Sequence, residues 1–218
     1  MPVTFGTSSE AGSTSSTALA LPAITKNSGE ILVVLVGCDD TTSVSTIDTD
    51  VDTNAFTLRG TATNTGQDRS EIWYALDGAI TNGSRTVTVN FNTGNRVGAA
   101  VLSFAGAGTP DNYVSNNGDT QSSPDNLTPG GHSDDTMMVN VQAGAQTVSL
   151  EANQTSVLNQ NNGGRRQRGS YKDGVNGGTI GINWVPGTAD LAHSACRIPE
   201  AGGGGPTGPN MLSLLGVG

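Results

Sequence analysis

EIWYALDGAITNGSRTVTVNFNTGNRVGAAVLSFAGAG, the segment from Glu71 to Gly108, sets the fold class. Within it, the apolar residues Val87, Val89 and Phe91 alternate with polar ones, which is the two-residue period of a strand with one buried face. Three apolar runs are separated by turns rich in Gly and Asn, and this order predicts an antiparallel meander. The chain is therefore predicted to be all-β.

Similar signals extend along the rest of the chain. Ile31–Val36 is apolar at every position, which predicts a central strand covered on both faces. Roughly a dozen strands are predicted in all, and no segment has a helical period of useful length. Residues 8–17 and 106–135 are rich in turn-forming residues and are predicted to be connections. We expect a two-sheet antiparallel β-sandwich with jelly-roll-like connections, in one domain over residues 1–200.

The chain is acidic, with a formal net charge of −9 and a pI near 4.4. This charge argues against nucleic acid as a partner, because phosphate binding needs a basic surface. One basic cluster, formed by Arg165, Arg166, Arg168 and Lys172, lies in a Gly- and Asn-rich stretch. We interpret it as a solvated loop or hairpin end, with a contact to an anion or a partner protein as the alternative.

The amino-terminal residues MPVTFGTSSEAG have neither the basic nor the apolar region of a secretory signal. No apolar run approaches the ~20 residues that cross a bilayer. We therefore expect no signal peptide and no membrane partner. A polar β surface without an export signal fits a virion component that assembles in the host cytoplasm; signal-free export and a shortened chain are the alternatives.

The composition changes after Glu200. Residues 201–209, AGGGGPTGP, form a flexible linker that spans about 15–18 Å. Residues 210–218 form an apolar tail, and burial of each large apolar side chain would contribute about 1.5–3 kcal/mol. We predict that the tail docks on another chain or a neighbouring subunit; packing on its own domain and terminal fraying are the alternatives. The anchoring residues are Met211, Leu212, Leu214, Leu215 and Val217.

Alternate aspartates at Asp48, Asp50 and Asp52 resemble a calcium-binding loop. An EF-hand loop counted from Asp48 would need Gly at its sixth position and Glu at its twelfth, where this chain has Thr53 and Arg59. That motif is rejected, and a solvated hairpin loop is the main interpretation. The three aspartates remain a weak candidate for a looser calcium site, and we assign no metal and no cofactor.

The two cysteines, Cys38 and Cys196, lie in or beside apolar strand-like runs far apart in the sequence. One such pair defines no disulfide framework, so we favour two buried thiols, with a disulfide between neighbouring strands as the alternative. Neither cysteine has a second ligand at the spacing of a zinc site.

No catalytic constellation is evident. His132 and His193 have no nucleophile in any recognisable motif, because GTADLAHSAC is not a nucleophile elbow. Glu71 and Glu151 are the two strand-borne glutamates that could serve as a pair for glycoside hydrolysis. We predict that the protein is not an enzyme.

Trp73 and Trp184 could act as platforms on which sugars stack. Aromatic residues in strands more often pack in a core, and this is our main interpretation of both. Trp73 and Tyr74 are adjacent, so their side chains should point to opposite faces of the strand. A glycan contact through Trp73 and Trp184 is the alternative.

In order, these motifs resemble a family of β-rich modules that is common in phage and environmental bacterial sequences. The pattern consists of an apolar strand, an EIWY strand, a TVTVxF strand, an AxxxSFxG strand and a terminal strand. The matching segments are Ile31–Gly37, Glu71–Tyr74, Thr86–Phe91, Ala99–Gly106 and Ala195–Glu200. The resemblance covers residues 5–200 and implies a jelly-roll or lectin-like sandwich used on virions or in adhesion.

Together these observations predict a non-enzymatic virion structural protein, such as a head decoration, spike or tail-fibre component. Its expected partners are other virion proteins and further copies of itself, with a trimer as the first expectation. Host surface glycans are a secondary expected ligand. The competing hypothesis is a carbohydrate-binding or adhesive module on a bacterial or phage surface.

Overall fold

Most of the described chain is β-strand. The structure is a computed structural model and describes residues 1–39, 41–121, 123–176, 178–184 and 189–202, without the side chains of residues 119–121, 176, 184 and 189. The strands of the first half are β1 (Thr4–Ala20), β2 (Ile24–Lys26), β3 (Glu30–Asp39), β4 (Val44–Thr49), β5 (Thr57–Asn64), β6 (Asp68–Ala75), β7 (Gly83–Arg85) and β8 (Val87–Ala105). The strands of the second half are β9 (Asp111–Gln121), β10 (Asp125–Leu127), β11 (Met137–Gly144), β12 (Val148–Leu150), β13 (Thr155–Asn162), β14 (Arg165–Asp173), β15 (Ile180–Trp184) and β16 (Ala189–Ile198), with a 3₁₀ helix at Gly174–Asn176.

Two large antiparallel sheets pack face to face. The first has the strand order β1-β8-β3-β6-β5, and the second has the order β13-β14-β11-β16-β9. Ile31, Val33 and Leu35 of β3 lie between the sheets in one buried cluster with Val139 and Val141 of β11. This arrangement confirms the two-sheet antiparallel β-sandwich. Every residue of β3 is buried, as predicted for a central strand.

The jelly-roll-like connections are not confirmed. A jelly roll is built from two Greek keys, whose strands are shared between both sheets. Here the first large sheet is built from strands within residues 4–105 and the second from strands within residues 111–198. The chain therefore completes one sheet before it begins the other.

A thin outer layer covers the outer face of each large sheet. Over the first sheet lie β2, β4, β7 and the beginning of β8, above an apolar core that includes Leu32, Val34 and Val36 of β3. Over the second sheet lies the small sheet β10-β15-β12, from which Leu127 and Ile180 pack against the strands below. Each half of the chain thus has a core of its own in addition to the core between the large sheets.

The predicted meander is wrong. β8 runs from Val87 to Ala105 without reversing, so the second Gly- and Asn-rich signal, at residues 92–95, is a bend rather than a hairpin turn. β1 follows β8 through this bend, with register shifts between Ser13 and Ser16, and β6 pairs with β3 and β5 instead of β8. Gly and Asn mark where a backbone leaves the straight path but do not distinguish a bend from a reversal.

Two segments predicted to be connections are strands. Residues 8–17 belong to β1, and β9 and β10 lie within residues 106–135. Both β1 and β9 are edge strands with many partly exposed polar side chains, so they lack the apolar alternation that identifies a strand in sequence. The four basic residues between 165 and 172 lie on β14, which begins at the end of the β13–β14 hairpin, so the cluster extends from a hairpin end along a strand and is not a loop.

The two halves of the chain have the same topology. Counted from β9, the second sheet takes its strands in the same order as the first sheet does from β1: first, eighth, third, sixth and fifth. The outer layers agree as well, because β2 pairs with β7 and the corresponding β10 pairs with β15.

A bulge fixes the equivalence residue by residue. The β5–β6 ladder shifts register between Leu58 and Gly60, and the β13–β14 ladder shifts between Ser156 and Leu158. When the two bulges are aligned, the strand pairings give each paired residue of the first large sheet an equivalent position in the second. Equivalent pairs on their outer faces are Val34 and Asn140, Val36 and Gln142, Trp73 and Ser170, Ala99 and His193, and Val101 and Ala195.

The halves join at one end of the sandwich. Ala107 forms an antiparallel bridge with Glu200, the Gly108 N–H donates to the Pro199 carbonyl, and the Ala201 N–H donates to the Gly106 carbonyl. The bridge pairs equivalent ends of β8 and β16, as an approximate twofold axis between the halves requires. The two large sheets therefore repeat one topology and meet at equivalent strand ends.

Candidate functional site

A groove opens at the end of the sandwich where this bridge lies. Its volume is about 710 Å³. Leu76, which follows β6, is 40% exposed at its wall, which makes it one of the few large apolar side chains on the described surface. We call this feature the terminal groove, and it is lined by Ile31, Arg59, Leu76, Asp77 and residues 107–111 and 199–202.

The charges of the terminal groove are unevenly paired. The Nε of Arg59 is buried and has no hydrogen-bond partner among the described residues. The three carboxylates each have a cationic partner: Asp77 contacts Lys26, Asp111 contacts Arg197, and Glu200 lies 3.2 Å from the amino terminus of Met1. Arg59 is therefore the charged groove residue without an ion-pair partner among the described residues, although its unpartnered Nε is itself buried.

Both ends of the described chain lie at the terminal groove. The amino group of Met1 lies 3.2 Å from Oε2 of Glu200, a groove residue, and Ala201 and Gly202 line the groove itself. Residues 203–218 lie outside the described residues. Most of the predicted linker and the whole tail, with Met211, Leu212, Leu214, Leu215 and Val217, are among them, so the tail anchor stays a prediction.

The opposite end of the sandwich carries a cluster of partly buried charges. Arg165 of the second half places its Nη1 3.1 Å from Oδ2 of Asp68 in the first half, and the Nε of Arg96 lies 3.3 Å from Oδ2 of Asp39. Burial raises the pKa of Asp68 to about 7, although Arg165 opposes this shift. Burial likewise raises the pKa of Asp39 against Arg96 and Arg165. This end closes the contact between the halves.

Trp73 is fixed by packing and by a hydrogen bond. Its half-buried ring lies against the apolar core of the first half, and its Nε1–H donates to Oε2 of Glu71 at 2.7 Å. Tyr74 packs on the opposite face against the core between the sheets, as predicted. Trp184 pairs with Val148 through the backbone, but its side chain lies outside the described part of the chain. The glycan contact of either residue stays a prediction.

The three aspartates of the weak calcium candidate do not converge. Asp48 accepts hydrogen bonds from the Asn54 N–H and the Asn90 side chain. Asp50 accepts one from the Thr86 N–H. Asp52 accepts hydrogen bonds from the hydroxyls of Thr49 and Thr81. No group of three or more His, Cys, Asp or Glu residues in the described part of the chain is placed to hold a metal ion. The loop uses its carboxylates to organise its own backbone.

The two cysteines are free thiols in different layers. Cys38 lies in the outer core of the first half, and Cys196 lies between the sheets. Burial raises the pKa of Cys196 to about 12 and that of Cys38 well above its ordinary value. Both thiols are therefore protonated and poorly nucleophilic at neutral pH.

The carboxylates considered for glycoside hydrolysis have structural surroundings. Glu71 is buried on β6, where it accepts hydrogen bonds from Arg69 and Trp73. Glu151 follows β12 rather than lying in a strand, and its N–H donates to the Gly181 carbonyl.

A buried polar network surrounds His193 and was not found by sequence reasoning. Its Nδ1 lies 2.8 Å from Oδ2 of Asp125, and its Nε2 lies 3.1 Å from the side-chain amide of Asn140. The Ser170 N–H can only donate, so the Asn140 atom that it meets at 3.0 Å is the oxygen. The Asn140 nitrogen therefore donates to Nε2, and His193 carries its proton on Nδ1 and donates it to Asp125.

The His193 network is structural rather than accessible. His193 and Ser170 are fully buried and Asn140 nearly so, beneath the small sheet β10-β15-β12. Burial raises the pKa of Asp125, but the hydrogen bonds from His193 and Asn116 outweigh it, so the pKa lies below its ordinary value. Its partners are far apart in sequence, which explains why no motif revealed them.

Comparison with protein-family models, with curated proteins and with solved structures gives no match. Within the described residues, no helix is both long and apolar enough to cross a membrane.

Proposed function

We propose that this chain is a non-enzymatic structural module at the surface of a large assembly, a virion in the first instance. In this proposal the end with the terminal groove attaches to neighbouring subunits, and the remaining surface faces outward. The observation that carries the proposal is that Ala201 and Gly202, the last described residues, line the terminal groove, so the linker that carries the apolar tail begins beside it.

The chemistry of the groove and the tail supports self-association. The groove offers the exposed Leu76 and the incompletely paired Arg59, while the tail offers five large apolar side chains on a linker of about 15–18 Å. A tail that reaches the groove of a neighbouring copy would form a heterologous contact, which closes into a ring when the rotation permits.

Mass photometry of the full-length chain tests this proposal. We expect an oligomer, a trimer in the simplest case, that dissociates when Leu214→Glu and Leu215→Glu are combined or when Leu76→Glu is introduced. Ser213→Glu is the matched control for charge in the tail. Leu58→Glu is the matched control for an exposed leucine outside the groove, since Leu58 is 42% exposed. Dissociation by the controls to the same extent, or a monomeric full-length chain, would contradict self-association through the tail.

A monomeric chain that binds glycan arrays, and loses that binding when Trp73→Ala or Trp184→Ala is introduced, would instead support the carbohydrate-binding alternative. If both variants still bound glycans, the assignment of the glycan contact to Trp73 and Trp184 would be contradicted.

A further inference from the structure

Lys26 is a buried lysine with an unusual set of neighbours. It is the third residue of β2, and its side chain points into the first half with no exposed surface. Its Nζ lies 2.5 Å from Oδ1 of Asp77, 2.8 Å from Oδ1 of Asn82 and 3.1 Å from the carbonyl of Asn27. An amine, a carboxylate and a carboxamide thus meet at one point.

The loop that carries Asn82 is held from both sides. The guanidinium of Arg85 donates to the carbonyls of Thr81 and Asn82, at 2.8 and 2.6 Å. From the other side, Asp52 accepts from the N–H and the hydroxyl of Thr81, at 3.0 and 2.9 Å. These contacts keep the Asn82 amide beside Lys26.

The geometry brings the reacting atoms close together. The amide carbon of Asn82 is one carbonyl bond from Oδ1, so it lies within about 4 Å of the Lys26 nitrogen. Productive attack requires a separation of about 3–3.5 Å, which a small rotation of the amide provides. The Asp77 carboxylate already contacts the nitrogen and can exchange a proton with it.

We propose that Lys26 and Asn82 form an intramolecular isopeptide bond, with Asp77 as the proton-transfer residue. Asp77 takes a proton from the Lys26 ammonium, and the free amine attacks the amide carbon of Asn82. The new bond joins Nζ to that carbon, and the bond from the carbon to the Asn82 side-chain nitrogen breaks. Asp77 passes its proton to the departing nitrogen, then accepts the extra proton from the attacking nitrogen and releases it to solvent, so one ammonia molecule and one proton leave and no oxidant or cofactor is needed.

The crosslink would fasten β2 to the loop before β7. These two strands form part of the outer layer over the first half, and their three-residue ladder is short. The hydrogen bond from Lys26 holds the pKa of Asp77 below its ordinary value. We expect the bond to form faster at alkaline pH, because only a free amine can attack the amide carbon.

Intact mass spectrometry of the full-length chain, before and after incubation at alkaline pH, tests the proposal. The expected result is a mass lower by one ammonia molecule, together with a branched tryptic peptide that joins the segments of Lys26 and Asn82. The Lys26→Met variant, which lacks the attacking amine, should show the mass calculated from its sequence, with no loss of ammonia. Lys172→Met is the matched control: Lys172 is also buried, but its Nζ donates to the Thr179 carbonyl, and this variant should still lose ammonia.

Two results would overturn the proposal. One is a full-length chain that keeps the mass of its sequence under both conditions. The other is loss of ammonia that persists in Lys26→Met, because Asn82 precedes Gly83 and can lose ammonia by attack of the backbone nitrogen instead. Asn82→Asp provides an independent check, since a crosslink to aspartate releases water in place of ammonia.

Discussion

The two halves of this chain share one strand order but fill their outer cores with different chemistry. In the first half, the outer face of the large sheet presents Val34, Val36 and Ala99 to an apolar core. In the second half, the equivalent positions hold Asn140, Gln142 and His193, all buried beneath the small sheet. One topology therefore accommodates an apolar core and a polar one.

The difference shows what a polar core requires. An apolar core needs shape and volume, whereas each buried polar atom needs a partner in the right position. The Asn140 amide meets this need by donating to His193 and accepting from Ser170. Gln142 does not, because neither of its amide atoms has a partner among the described residues. The polar core is thus specific but incompletely satisfied.

Exchange of equivalent residues should affect the first half most. Val34→Asn places an amide in the apolar core, where nothing can bond to it, and it also loses apolar burial. We expect a loss of about 3–5 kcal/mol in the free energy of unfolding, measured by urea denaturation. Thr25→Asn, at an exposed position of β2, should change stability little. Equal losses in both variants would contradict the assignment of an apolar core.

The reverse exchange should cost less. Asn140→Val leaves Nε2 of His193 and the Ser170 N–H without partners, but it adds apolar contact with Met138 and Ile180 nearby. We expect a net loss of about 1–3 kcal/mol in the free energy of unfolding. A more stable variant would show that the network is not needed for the fold of the second half.

The pH dependence of stability should reveal the charges between the halves. Asp68 has a pKa raised by burial from 3.8 to about 7, so the folded chain holds a proton there that the unfolded chain has released. The contribution of Asp68 to the free energy of unfolding therefore falls as the pH rises from 3.8 to about 7, and it stays low at higher pH.

Urea denaturation below and above this pH window tests the assignment. Asp68→Asn should lose this part of the pH dependence and should gain stability relative to the parent chain on the alkaline side. An unchanged pH profile would contradict the buried, protonated carboxyl. Asp173→Asn, outside this cluster, is a control that should keep the parent profile.

The smallest effect is expected at Trp73, the equivalent of Ser170. Trp73→Phe removes the hydrogen bond to Glu71 while Arg69 remains beside that carboxylate. We expect the free energy of unfolding to fall by about 1 kcal/mol, measured by thermal denaturation monitored by circular dichroism. A loss similar to that of Val34→Asn would mean that the indole hydrogen bond dominates the outer core of the first half.

The sequence predicts the parts of the fold that have clear periodicity. Ile31–Val36 lies in the buried strand that the pattern predicts, because a strand covered on both faces must be apolar. The edge strand β9 was missed, since it pairs with one neighbour and keeps polar side chains. The sequence predicts a reversal of the chain where β8 only bends, because Gly and Asn permit both.

The repeated topology and the candidate sites are harder to predict from the sequence. Equivalent residues such as Val34 and Asn140 differ in polarity, so the repeat is a feature of topology rather than of sequence. The terminal groove is formed by residues as far apart in sequence as Ile31 and Glu200. Lys26 likewise meets Asp77 and Asn82, which lie more than 50 residues later in the chain. Such contacts depend on the tertiary fold, and no local pattern encodes them.

The second half is organised around a neutral His193 held between Asp125 and Asn140. Nitrogen-detected NMR of the full-length chain, with His193→Asn for assignment, measures the tautomer directly. We predict a proton on Nδ1, an unprotonated Nε2 at neutral pH, and slow exchange of the Nδ1 proton with solvent. A proton on Nε2, or the rapid exchange of an exposed imidazole, would contradict this description of the polar core.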